Sequence, residues 1–143
     1  IVGESALNAL VALHHGVPVA LITGDQATAD EARTFAPAIE AVVVKRSVSR
    51  FAAESLHPRR ACELIQAGAR AAIGRLDEIG PPQIDLPATL DITFLTADMA
   101  EAATAIRGVV RSSPRSISVK DDDPLQLYRS FVTIVALTRG VEG

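Results

Sequence analysis

The sequence predicts an α/β fold: a βαβ-containing, mostly parallel sheet flanked by helices over residues 1–79, then a smaller strand-helix-strand-helix α+β part over residues 80–143. Three observations carry this reading. Two short runs rich in apolar and β-branched residues, 17–22 and 39–45, bracket a helical segment at the spacing of a βαβ unit. Gly80-Pro81-Pro82, with Pro87 close behind, forbids helix and interrupts a ladder. Beyond that break the apolar residues alternate, the pattern of strands with one solvated face in an antiparallel or mixed sheet.

The elements follow in order. Apolar residues at 6, 7, 10 and 13 give a helix over about 3–15, which Gly16 and Pro18 close. Residues 17–22 are too short a run for a helix and end at Thr23-Gly24-Asp25, so they read as a strand buried on both faces. A helix over 27–36 and a strand over 39–45 complete the unit. His57-Pro58 starts a helix reaching about Leu76, with His57 as its cap and Pro58 at a position that needs no N–H. Its expected core stripe is Ala61, Ile65, Ala69, Ala72, Ile73 and Leu76, bordered by a packed Cys62 thiol. After the prolines come a strand over 89–95, a helix over 97–107, a strand over 115–119 and an amphipathic helix over 124–139, the last started by Asp121-Asp122-Asp123. The second part is expected to pack on the same domain and to contribute to assembly.

Composition narrows the function. The chain has 143 residues, 48% apolar and 22% charged, enough to bury a sizeable core as one domain and too apolar for disorder. Its net charge of −3 and five aromatic residues argue against nucleic acid as a partner. No apolar run approaches a membrane span, and no signal-peptide pattern opens the chain. The single Cys62 allows no intrachain disulfide and fits a cytoplasmic, reducing address. A chain that starts at Ile1, already in helical pattern, reads as a fragment or a processed product.

Most candidate motifs dissolve on inspection. His14 and His15 are adjacent on a helix and point about 100° apart, so they make poor joint metal ligands. Gly68 to Gly74 has no following Lys-Ser/Thr and lies inside a helix, which excludes a phosphate loop, and no Gly-x-Gly-x-x-Gly or Gly-x-Ser-x-Gly occurs. Four polar residues survive. Glu4 opens a helix, Asn8 lies one turn along the same face, and Asp25 and Lys45 end the two predicted strands, where α/β sheets bind ligands.

The order of the pieces is more specific than any one of them. Gly3-Glu4 with Asn8-Ala9, Gly16-Val17-Pro18-Val19, Gly24-Asp25, Glu31-Ala32, Val43-Val44-Lys45, Arg50 and Leu56-His57-Pro58 together resemble the zinc-dependent D-aminopeptidases of the dipeptide-transport type, in register over about residues 2–75. The resemblance implies a metal-dependent hydrolase that releases N-terminal D-amino acids from short peptides. It implies two zinc ions per site, a homo-oligomeric ring, and Glu4 as a metal ligand. Asn8, Asp25 and Lys45 would then shape the site or bind substrate.

The family's Asp-x-Glu-Gly motif, its two ligand histidines and its further catalytic histidine all precede the Gly-Glu motif, so they belong to an N-terminal half absent from this chain. His14, His15 and His57 match none of them. The isolated chain is therefore expected to lack a complete metal site, to be inactive by itself, and to self-associate through the apolar surface that the absent half would cover. The alternative is a non-catalytic α/β oligomerisation or ligand-binding module derived from the same fold.

Overall fold

In the computed structural model of the chain, which describes residues 1–141, helix α1 spans Glu4–His14. Its end is a Schellman turn: the Gly16 N–H donates to the Leu13 carbonyl at 3.0 Å and the Val17 N–H to the Ala12 carbonyl at 2.9 Å. Gly16 adopts φ +62°, a conformation open to glycine at little cost. That turn delays the next strand. The Val17 N–H is spent on the helix and Pro18 has none, so β1 (Leu21–Asp25) begins four residues after the predicted start.

Strand β1 runs parallel to β2 (Glu40–Ser49), from Leu21 opposite Glu40 to Asp25 opposite Lys45, with a shift in register after Gly24. Helix α2 (Gln26–Phe35) joins them and buries Ala29, Ala32 and Phe35. The βαβ unit is therefore present. The sheet around it departs from the mostly parallel expectation, because β2 continues to Ser49 and turns back as β3 (Ala52–Ser55) in an antiparallel pair. Only Arg50 and Phe51 connect them, and so short a loop permits no parallel crossover. The order β1-β2-β3 leaves β1 at an edge among the described strands, half-buried rather than buried on both faces.

Helix α3 (Pro58–Gly74) is capped by His57, whose Nδ1 accepts the Arg59 N–H at 3.2 Å. Its inward line differs from the predicted stripe. Ala72 is buried and Ala61, Ile65 and Ala69 are half-buried, but Ile73 is 68% exposed and Leu76 is exposed too. Gly68 is the point of closest approach: a Cβ there would stand 2.4 Å from Cγ2 of Val42, so only glycine lets the helix settle this near β2. Cys62 is exposed rather than packed, since it lies one residue, about 100°, around the helix from Ala61.

The chain divides into two compact units, Ile1–Gln83 and Ile84–Gly143. The proline segment adheres to the first of them, with Ile79 and Pro82 buried and the Gln83 N–H donating to the Phe35 carbonyl at 2.6 Å. The second unit carries β4 (Ala88–Thr93), α4 (Ala97–Ala103), β5 (Val109–Ser113), β6 (Ser116–Asp121) and α5 (Pro124–Thr138). Its sheet is antiparallel throughout in the order β4-β6-β5. Strand β5 is additional to the predicted strand-helix-strand-helix order, and α4 ends at Ala103 instead of Arg107 because the chain turns at Gly108, φ +87°, into that strand. Ile117 and Ile134 are fully buried at its core beside Met99, Ala100, Val119 and Leu127. Asp123 caps α5, as the acidic run predicts, by accepting the Leu125 N–H at 2.9 Å. Among the described residues no helix is long and apolar enough to cross a membrane.

Candidate functional site

Glu4 is the first residue of α1, next to the positive end of the helix dipole, and its side chain is exposed. Asn8 follows one turn later, also exposed. The residue before Glu4 is held in an unusual way. Gly3 is the N-cap and has no side chain with which to cap, yet its own N–H donates to Glu31 Oε1 at 2.7 Å, across 28 residues from the middle of α2. A Cβ on Gly3 would lie 2.9 Å from Glu31 Oε2. The Glu31 carboxylate thus lies flush against the glycine and ties the first turn of α1 to α2.

Asp25 and Lys45 meet at the carboxyl end of the parallel pair, opposite one another in register. Asp25 spends its whole carboxylate on the fold: Oδ1 accepts the Ala27 N–H at 2.8 Å, capping α2, while Oδ2 accepts the Ser47 N–H at 2.7 Å and the Ser47 hydroxyl at 2.6 Å. The hydroxyl of Ser47, then the Ala27 N–H, then the Ser47 N–H and the Lys45 charge hold the Asp25 carboxyl below its ordinary pKa against a smaller opposing effect of burial. Lys45 is exposed and lines a shallow groove with Val43, Val44, Arg46, Glu54, Ser55 and Leu56.

The structure therefore gathers the four predicted residues in two pairs, Glu4 with Asn8 on one helix and Asp25 with Lys45 at one strand end. Two further residues join them: Glu31 beside Gly3, and Ser47 on Asp25. Both bonds span more than twenty residues and leave no local pattern in the sequence. Zinc sites take three or four protein ligands, and among the described residues no three His, Cys, Asp or Glu side chains gather to hold a metal. Glu4 is a single carboxylate donor, so the described residues do not make a zinc site by themselves.

Comparison with known proteins gives a consistent picture. The chain is 29% identical over 137 residues to a D-aminopeptidase of Bacillus subtilis (strain 168), a match covering 95% of this chain and 50% of that protein. Its fold superposes with a TM-score of 0.87 and 28% identity on the solved structure of a Zn-dependent D-aminopeptidase from Bacillus subtilis, described as a self-compartmentalizing protease, over 96% of this chain and 51% of that one. The chain thus spans about half the length of the relatives it matches. The Peptidase M55 family of D-aminopeptidases matches residues 1–133. With nearly its whole length inside that match, the chain belongs to the Peptidase M55 D-aminopeptidase family.

Proposed function

We propose that the complete protein is a metal-dependent aminopeptidase that releases N-terminal D-amino acids from short peptides, and that this chain supplies its scaffold and one metal-binding carboxylate, Glu4. The observation that carries the reading is the family match over residues 1–133, which includes the Gly3-Glu4 motif. The Zn-dependence of the Bacillus subtilis relative supports zinc as the metal, two ions per site being what the family resemblance implies, and its self-compartmentalizing description supports a homo-oligomeric ring. The chain covers 50% and 51% of its relatives' length, and on this reading the remaining ligands and the catalytic histidine come from outside it. A single exposed cysteine fits action in the cytoplasm.

The roles of the residues present follow from their positions. Glu4 stands at a helix start, where a negative side chain complements the helix dipole, and its carboxylate is a metal-binding group. Asn8, one turn further on the same face, orients that carboxylate or the substrate. Lys45 stays exposed beside the groove at the strand end and carries a charge suited to meet a substrate carboxylate, while Asp25 shapes the site by fixing the stretch of β2 that carries Ser47.

Alanine substitution in the complete protein tests the assignment. E4A is expected to lower zinc occupancy and to cut turnover by about 100-fold or more, since loss of a mere supporting partner of a metal ligand costs 10–100-fold. N8A is expected to reduce turnover at constant zinc. Unchanged zinc and turnover in E4A would overturn the ligand role, and a fully active N8A would leave Asn8 an ordinary surface residue.

A further inference from the structure

We propose that Glu31 is a positioning residue for Glu4: from α2 it clamps the first turn of α1 through the Gly3 N–H, and so fixes the backbone from which the Glu4 carboxylate extends. The proposal rests on the functional reading of Glu4 given above. Its evidence is geometric and lies outside the residues that reading assigns.

At an N-cap, Ser, Thr, Asp or Asn satisfies an N–H of the first turn with its own side chain, which glycine cannot do. Position 3 is glycine instead, and no side chain caps α1. The N–H of that glycine is taken by a carboxylate from another helix, at 2.7 Å, in a charge-assisted bond. In a capping box the acceptor at this N–H comes from the same helix and moves with it. Here it comes from α2, which is itself pinned at its start by the Asp25 cap and packed through Ala29, Ala32 and Phe35. The bond therefore sets the position of the start of α1 relative to α2, which no local cap can do.

Gly3 completes the device. Its missing side chain leaves room for the carboxylate to lie against the backbone, because a Cβ would stand 2.9 Å from Oε2 and 3.4 Å from Oε1 of Glu31. A Cβ at position 3 would push the Glu31 carboxylate out of its present position against the backbone. Gly3 and Glu31 thus act as one unit, and Gly3 immediately precedes Glu4 in the chain.

The test uses the complete protein and four variants: E31A, E31Q, G3A and E4Q. Glutamine at 31 keeps an oxygen that accepts the Gly3 N–H, so E31Q is expected to retain most of the wild-type kcat, whereas E31A and G3A lose about tenfold in kcat on a dipeptide with an N-terminal D-residue, with KM changed less than twofold. Hydrogen exchange followed by mass spectrometry gives a readout independent of turnover. The peptide covering residues 1–8 should exchange faster in E31A and G3A than in wild type or E31Q. The double variant G3A/E31A should be no slower in turnover than the worse single one, because both changes remove the same bond.

A large loss in E4Q together with wild-type kcat and exchange in E31A and G3A would overturn the clamp while leaving Glu4 in place. Wild-type turnover in E4Q would overturn the reading of Glu4 itself, and the positioning role with it. If E31A does not fold, G3A against E31Q carries the comparison: equal kcat and equal exchange in those two would overturn the clamp.

Discussion

Two carboxylates near the start of the chain show how local surroundings divide structural from functional work. Asp25 has both oxygens engaged, by Ala27 and Ser47, and is held below its ordinary pKa by those bonds. A carboxyl whose folded pKa is depressed contributes stability that is present in full above the unfolded value and is lost as pH falls through the folded one. D25N is therefore expected to melt at a lower temperature than wild type at neutral pH, since an amide nitrogen cannot accept from Ser47. The difference should shrink as the pH drops below the ordinary carboxylate range, where the wild-type carboxyl takes up its proton. Thermal melts of both proteins across that range check it, and a gap that persists unchanged in acid would remove the charge from the explanation. Glu4 stands in the opposite situation, exposed at a helix start whose placement is enforced by its neighbours Gly3 and Glu31.

Among the elements, α3 shows how one atom sets a packing distance. At Gly68 a Cβ would meet Cγ2 of Val42 at 2.4 Å, whereas at Gly74 nothing lies within 4 Å. Valine is stiff at χ1 and cannot simply swing away. Overpacking of this kind costs about 1–3 kcal/mol, against about 1 kcal/mol gained by replacing a helical glycine with alanine. G68A is thus expected to be destabilising by up to about 2 kcal/mol net, and G74A to be neutral or stabilising by up to about 1 kcal/mol. Urea denaturation of the two variants decides it, and equal effects would mean that α3 shifts freely on the sheet. The same elements show what can be read in a sequence. The end of α1 at Gly16 and the caps His57 and Asp123 were legible because each acts within a few residues of itself. Strand β3 was not, because every residue from Lys45 to Arg60 is exposed and no alternation marks the hairpin. The late start of β1 and the extra strand β5 depend on partners chosen across the fold. The proposed role of Glu4 rests on its helix start and on the order of motifs around it, whereas the bond between the Gly3 N–H and Glu31, spanning 28 residues, follows from none of the local rules.

For the whole molecule the central fact is proportion: the chain spans 50% of one relative and 51% of the other, and among its described residues no three metal-binding side chains gather. A carboxylate alone holds zinc poorly, so on this reading metal binding must draw on residues beyond the described ones. The exposed apolar residues Val48, Phe51 and Leu95, at 65%, 91% and 79%, add surface that an assembled protein has reason to cover. Native mass spectrometry of the protein purified from its own source reads subunit mass, assembly and metal in one spectrum. The expected result is an assembly of many subunits, each containing this sequence within a longer chain or beside a second one, with zinc bound in a fixed ratio to Glu4-bearing chains and reduced in E4A. Zinc retained in E4A would place the metal on other residues altogether. A metal-free 15.0 kDa chain would instead make the site at Glu4 a remnant of the family's chemistry, and would move the protein to the alternative of a non-catalytic module built on the same scaffold.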